Sequence, residues 1–326
     1  MTDAPVDVHP VVKETADRIA AMEVRGAAAI ADEAAVALRT QAESSDATTA
    51  DELDAELKAA ARYLRDTRPT AVSLPNALRY VFQNTSGRTV EERRERAIAS
   101  VDAFREGLEH AQEKLGRVGA NRLRDGDCVM FHCHSTDALA CVKAAVEQGK
   151  HVEAVVKETR PRMQGHITAR QLRTWDVPVT LIVDSGARRY LDDADHVLVG
   201  ADSITADGSV INKVGTAGLA VSARERGVPI MVAAQTIKLH PDTMTGHTVE
   251  IEMRDEQEVL SENARAGISG PGDDDLAVEN PAFDVTPPRY VDAIVTERGQ
   301  YPPESVVVLI RELFGEHTGT EPWEEP

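Results

Sequence analysis

Two short segments carry residue types that could exchange protons with a small substrate. The first, Phe131-His132-Cys133-His134-Ser135-Thr136-Asp137, directly follows an apolar run with the pattern of a buried strand. Ser135, Thr136 and Asp137 each suit a helix N-cap, which places Cys133 near the positive end of the helix that follows. Such a position lowers a thiol pKa and favours the thiolate. The competing reading, an inert buried cysteine, is the better one for Cys128 and Cys141. His132 and His134 invite a metal, but a lone His-Cys-His without a second ligand cluster is a weak zinc pattern. Neither a metal nor another cofactor is expected.

The second segment is Gly200-Ala201-Asp202-Ser203, after another apolar run. A carboxylate there, across a crevice from a thiolate, would be desolvated enough to stay protonated and act as an acid. Its alternative role is to cap a turn. Asn212 and Lys213 then precede Gly215-Thr216 and a small-residue helix, a pattern suited to a phosphate or hydroxyl but nonspecific alone. Arg25-Gly26-Ala27-Ala28 opens a helix and offers a guanidinium beside helix-terminal N–H groups. Arg68 precedes Pro69 in an extended loop, and Lys238 follows a strand-like run. Taken singly, each of these cations reads better as a surface ion-pair residue.

Residues 1–119 must form the helical frame. Ala97, Val101, Phe104, Leu108, Ala111 and Leu115 recur at spacings of four and three, the mark of one helix face. Thr89 with Glu92 makes a capping-box signature, and Gly116 is a plausible C-cap. Segments 11–22, 27–42 and 50–66 read as shorter helices. From residue 120 to 326 the rhythm changes. Short Val- and Ile-rich runs at 128–133, 152–157, 179–184, 196–200, 230–234 and 291–296 alternate with helical stretches such as 137–148 and 168–174. This is the pattern of an α/β, Rossmann-like, doubly wound parallel sheet. In such sheets ligands bind beyond the carboxyl ends of the strands, and both segments above sit at such ends. Residues 261–279 are polar and acidic and read as a surface insertion.

The chain of 326 residues is 42% hydrophobic with a net charge of −19, which excludes a disordered chain. The charge argues against nucleic acid or anionic membranes as partners. Because the acids spread along the whole chain, a surface suited to high salt is expected. An anionic substrate would need a local pocket of positive charge. No apolar run approaches the roughly 20 residues a bilayer needs, and the acidic N-terminus lacks the features of a signal peptide. Three cysteines, an odd number, suit a reducing compartment, so a cytoplasmic location is expected.

Several motifs occur in a set order: Met22-Glu23-Val24-Arg25-Gly26-Ala27, Thr67-Arg68-Pro69-Thr70-Ala71, His132-Cys133-His134-Ser135, Glu158-Thr159-Arg160-Pro161, Gly200-Ala201-Asp202-Ser203-Ile204 and Asn212-Lys213-Val214-Gly215-Thr216. The chain thereby resembles the superfamily that joins aldose-phosphate isomerases to regulatory subunits of the eukaryotic initiation-factor exchange complex. The resemblance covers nearly all of it. Ile251-Glu252-Met253-Arg254-Asp255, Asn280-Pro281-Ala282-Phe283-Asp284 and Thr296-Glu297-Arg298-Gly299 make it most similar to the archaeal ribose 1,5-bisphosphate isomerase branch.

The resemblance implies an aldose–ketose isomerase of AMP breakdown that forms ribulose 1,5-bisphosphate, with Cys133 as proton acceptor and Asp202 as proton donor. It implies a substrate site of Arg25, Gly26, Ala27, Ala28, Arg68, Ser135, Thr136, Asp137, Asn212, Lys213 and Lys238. It also implies AMP activation and homo-oligomers built from dimers, up to a hexamer. A methylthioribose-1-phosphate isomerase would retain the same pair, whereas a non-catalytic regulatory subunit is not expected to.

Overall fold

A computed structural model describes residues 8–24, 26–68, 71–83, 85–269, 275–314 and 321–324. The chain packs as two compact units. One comprises Met1–Ala111, Ile237–Asp242 and Arg311–Pro326, and the other Gln112–Thr236 and Thr243–Ile310.

The first unit is helical. It holds α1 (Pro10–Ala20), α2 (Ala27–Ser44), α3 (Ala50–Arg65), α4 (Ser73–Phe82) and the first part of α5 (Val90–Ala120). Thr49 and Glu52 form a complete capping box at the start of α3, which satisfies two of its orphan N–H groups. Ile19, Leu38, Leu64, Leu78 and Val101 share one core, into which Trp323 of the C-terminal segment is packed. The sequence pattern did not anticipate α4, whose Pro75 is tolerated in a first turn because the N–H it lacks has no intrahelical partner there.

The strands of the second unit are β1 (Cys128–Phe131), β2 (Glu153–Lys157), β3 (Val179–Ile182), β4 (His196–Val199), β5 (Ser203–Ile204), β6 (Val210–Lys213), β7 (Ile230–Ala233), β8 (Phe283–Thr286), β9 (Ala293–Thr296) and β10 (Gly299–Tyr301). Its helices are the end of α5, α6 (Thr136–Glu147), α7 (Gln164–Arg173), α8 (Ala187–Tyr190), α9 (Thr216–Arg226), α10 (Glu262–Ser269) and most of α11 (Val306–Phe314). Among the described residues a seven-stranded sheet runs β10-β9-β7-β4-β1-β2-β3, parallel except for β10. Its inner strands are apolar on both faces, as a sheet covered on both sides requires. The doubly wound parallel sheet inferred from the sequence is therefore present.

After β1 the chain steps outward through β2 and β3, then returns to the other side of β1 as β4. The register pairs Val129 with His196 and Phe131 with Leu198. Strand order thus reverses between β1 and β4, and the connections leaving their carboxyl ends part to form a crevice. A small antiparallel sheet, β5-β6-β8, follows the end of β4.

Gly116 does not cap α5. The helix continues to Ala120, and a Cβ at Gly116 would stand 2.7 Å from the carbonyl oxygen of Ala140. Close approach of α5 to α6, not helix termination, explains that glycine. The segment read as an acidic insertion contains α10, which buries no side chain. Among the described residues no helix is long and apolar enough to cross a membrane.

Candidate active site

Cys133 sits two residues past the end of β1 in the left-handed region, φ +68°, where a residue with a Cβ is uncommon and costs free energy. The surroundings impose that conformation. Its N–H donates to Thr159 Oγ1 at 2.8 Å, and its carbonyl accepts from Thr168 Oγ1 at 2.9 Å. Thr159 is itself left-handed, φ +62°. Asp184 holds it there by accepting from the N–H groups of Thr159 at 3.0 Å and Arg160 at 2.7 Å. The buried ammonium of Lys157, 3.9 Å from Asp184, balances that carboxylate.

Ser135 caps α6, accepting from the Ala138 N–H at 3.2 Å, as its sequence position indicated. Thr136 is exposed at the first residue of the helix. Asp137 is buried and accepts from the Gln235 side-chain amide at 2.8 Å, which ties α6 to the chain leaving β7. Gly200, at the end of β4, lies so close to Ser135 that a Cβ would be 2.3 Å from Ser135 Oγ. The β1 and β4 ends therefore meet directly.

The chemistry of Cys133 departs from expectation. Although the residue keeps some exposed surface, burial of its thiol pushes the pKa up to about 11. The charges of Asp202 and Asp184 raise it further, while a bond from the His134 N–H and the charge of Lys213 pull it down. Burial and carboxylates outweigh the helix terminus, so the thiol holds its proton at neutral pH. Asp202 also departs from expectation: it is exposed, so the fold does not itself desolvate it. Its N–H donates to the Ile211 carbonyl at 2.8 Å, which fixes the chain leaving β4 against β6.

Lys213 is buried at the end of β6. Its Nζ donates to the Ala282 carbonyl at 2.8 Å and lies 4.8 Å from the centre of the Phe283 ring. Burial lowers its pKa, an effect that Cys133 and Asp202 oppose and that Arg254 and Arg162 reinforce. Arg162, Lys213, Arg254 and Asn280 line a cavity of about 10 Å³. The Asn212 amide donates to Thr216 Oγ1 at 3.0 Å, and that hydroxyl donates to the Lys213 carbonyl at 2.6 Å.

The start of α9 is not an open phosphate cradle. Asp284, from β8, accepts from the N–H of Gly215 at 2.7 Å and from that of Ala217 at 3.1 Å. An internal carboxylate thus occupies the positive end of the helix. Gly215, at φ +99°, is needed there because a Cβ would press on His132 Nε2 at 3.2 Å. His132 donates from Nε2 to the Val214 carbonyl at 2.9 Å, and burial, with the charge of Lys157, lowers its pKa to about 4. His134 Nδ1 lies 3.1 Å from Thr168 Oγ1. Both histidines thus serve the protein's own hydrogen bonding. Among the described residues no group of three or more His, Cys, Asp or Glu gathers to hold a metal.

Gly26, Ala27, Ala28, Arg68 and Lys238 belong to the first unit. Gly26, at φ +90°, is the N-cap of α2 and supplies no capping side chain, with Ala27 and Ala28 in the first turn. Arg68 is half-buried beyond α3 and Lys238 is buried. Arg25 lies outside the described residues. Sequence reasoning missed Lys157, Thr168, Asp184 and Arg162 altogether, and used Thr159, Arg254 and Asp284 only as marks of resemblance. Their partners lie far away in the chain, so no local spacing reveals them.

A family model described as the initiation factor 2 subunit family matches residues 23–303. Ribose 1,5-bisphosphate isomerase of Haloterrigena turkmenica is 71% identical over 327 residues, covering 99% of this chain and 100% of that protein. The enzyme of the same description from Haloferax volcanii is 69% identical, covering 98% of this chain and 97% of that one. A solved translation initiation factor eIF-2B from Pyrococcus horikoshii OT3 superposes with a TM-score of 0.76 at 28% identity, over 92% of this chain and 99% of that one. The chain belongs to the initiation factor 2 subunit family.

Proposed function

We propose that this protein isomerises ribose 1,5-bisphosphate to ribulose 1,5-bisphosphate, with Cys133 and Asp202 as its acid–base pair. The observation that carries the reading is full-length identity of 71% to an isomerase of that substrate, in a chain with Cys133 and Asp202 just past the two strands that flank the switch point of its sheet.

The C1 oxygen of the substrate is esterified, so the furanose cannot open by losing a hemiacetal proton. Asp202 protonates the ring oxygen, the C1–ring oxygen bond breaks, and the Cys133 thiolate removes the C2 proton. The Asp202 carboxylate takes the C2 hydroxyl proton, and Cys133 returns its proton to C1, leaving the ketone at C2. The pair ends the cycle with the one proton it began with. The Cys133 thiol holds it at neutral pH, so the reactive form arises when that proton resides on Asp202. Lys213 favours this form because its charge steadies the thiolate. Positioned acid–base groups each supply roughly 10²–10⁴-fold.

Arg25, Gly26, Ala27, Ala28, Arg68, Ser135, Thr136, Asp137, Asn212, Lys213 and Lys238 remain the proposed substrate residues. The resemblance supports this set as a whole, and burial of Lys213 and Lys238 in a chain of net charge −19 singles those two out. By the same resemblance we place the reaction in AMP breakdown, with AMP as activator and homo-oligomers built from dimers up to a hexamer. Free cysteines are compatible with work in the cytoplasm.

The test is kcat/KM of the purified protein on ribose 1,5-bisphosphate and on methylthioribose 1-phosphate. The bisphosphate should be strongly preferred. Preference for the thioether sugar overturns the reading.

A further inference from the structure

Lys238 lies in Ile237–Asp242, a short segment of the first unit, and a single side chain grips the backbone on both sides of it. The amide nitrogen of Asn76, on α4, donates to the carbonyl of Ile237 at 2.8 Å and to that of Leu239 at 2.7 Å. Both hydrogens of that amide are used, one on each neighbour of Lys238. Asn76 is in turn oriented by Arg79, one turn along α4, whose Nη1 donates to Asn76 Oδ1 at 2.8 Å. Arg79 is only 5% exposed. Its Nε and Nη2 donate to Asp242, at the end of the same segment, and to the carboxylate of Glu321 in the C-terminal segment, the latter pair meeting through two bonds. The C-terminal segment is anchored beside that pair by the buried Trp323, whose carbonyl accepts from Arg62 Nη1 at 2.7 Å.

We propose that Asn76 is a positioning residue for substrate binding: held by Arg79 and the C-terminal Glu321, it sets the backbone from which Lys238 presents its ammonium to a substrate phosphate. The inference rests on the reading of Lys238 as a substrate cation. Buried amides and guanidinium groups need their donors satisfied, and here the segment that carries Lys238 takes both donors of the amide and one of the guanidinium. A chain of hydrogen bonds, charge-assisted as far as Asn76, thus runs from Glu321 to the carbonyls of the two residues flanking one lysine.

The test is a double-mutant cycle on the full-length protein. Asn76→Asp keeps the shape of the side chain and removes both donated bonds. It should raise KM for ribose 1,5-bisphosphate about tenfold, equivalent to about 1.4 kcal/mol, with kcat changed less than about threefold. Lys238→Met should raise KM as well. In the Lys238→Met background Asn76→Asp should add almost nothing, because the group it positions is gone. A merely structural role would give the same increment in both backgrounds, and that result overturns the proposal. A wild-type KM in folded Asn76→Asp, with Lys238→Met impaired, overturns it too. A wild-type KM in Lys238→Met instead removes Lys238 from the substrate site and takes this role of Asn76 with it. If Asn76→Asp fails to fold, Glu321→Gln carries the same cycle: its KM effect, at unchanged thermal stability, must also vanish in Lys238→Met.

Discussion

Cys133 and His132 are adjacent, and burial acts on them in opposite directions. For the thiol, burial penalises the anion and the pKa rises to about 11. For the imidazole it penalises the cation and the pKa falls to about 4. Iodoacetamide alkylation of Cys133, followed by peptide mapping, should therefore quicken about tenfold per pH unit beyond pH 8.5, where a free thiol levels off. Lys213→Met should slow it further, since the charge that steadies the thiolate is lost. A plateau near pH 8 would show a thiolate in the resting protein. Cys133→Ala should lose at least about a hundredfold in kcat while keeping the wild-type melting temperature. For His132 the consequence is stability. Its folded pKa lies below the ordinary 6.5, so between pH 6.5 and about 4 the unfolded chain takes up a proton that the folded one refuses. Stability is full above this window and falls through it by up to about 3 kcal/mol. Denaturant titrations of wild type and His132→Gln across the window should diverge by that amount. Parallel curves would mean that the imidazole gains its proton in the folded state.

Helix α5 separates propensity from packing, because two of its glycines meet opposite surroundings. At Gly107 a Cβ would find nothing within 4 Å, whereas at Gly116 it would meet the Ala140 carbonyl oxygen at 2.7 Å. Alanine is better than glycine inside a helix by about 1 kcal/mol, so Gly107→Ala should raise the melting temperature. At Gly116 the same gain is overridden by overpacking against backbone, which costs about 1–3 kcal/mol, and Gly116→Ala should lower it. Two shifts of the same sign would refute the close approach of α5 and α6. This pair also marks what the sequence could reveal. The parallel strands were legible to within a residue or two because strands buried on both faces must be apolar runs. The switch point followed from them, and with it the neighbourhood of Cys133 and Asp202. Gly116 was misread because a glycine near the end of a periodic segment suits a cap as well as a contact. The β5-β6-β8 sheet was not seen, since strands of two to four residues carry too little alternation to register. The cap that Asp284 places on α9 comes from 69 residues beyond Gly215, out of reach of any local pattern. A separation of 25 residues hid Asp184 behind Thr159, and burial of the thiol, the main cause of its raised pKa, leaves no mark in a local pattern.

The whole chain carries 55 acidic against 36 basic residues, a net charge of −19. Ion pairs on its surface offset little of this. Arg117 with Glu113 and Arg188 with Glu225, for example, are all more than half exposed, and such pairs contribute about 0–1 kcal/mol each. The unpaired excess repels itself over distances that salt controls. The Debye length is about 10 Å at 0.1 M and about 3 Å at 1 M, so in dilute buffer a carboxylate feels charges well beyond its neighbours, and in molar salt hardly past them. Folding gathers these charges, and the unfolded chain spreads them, so repulsion weighs on the native state and screening relieves it. The melting temperature should therefore climb by several degrees between 0.05 M and 1 M KCl. The climb should flatten once the screening length falls below the spacing between charges. A variant with exposed acids on the outer face of α5, such as Glu91, Glu95 and Glu106, changed to glutamine should show a shallower rise, which separates screening from a general effect of salt on apolar burial. Equal melting temperatures at both salt concentrations would reduce the acidity to ordinary surface solvation.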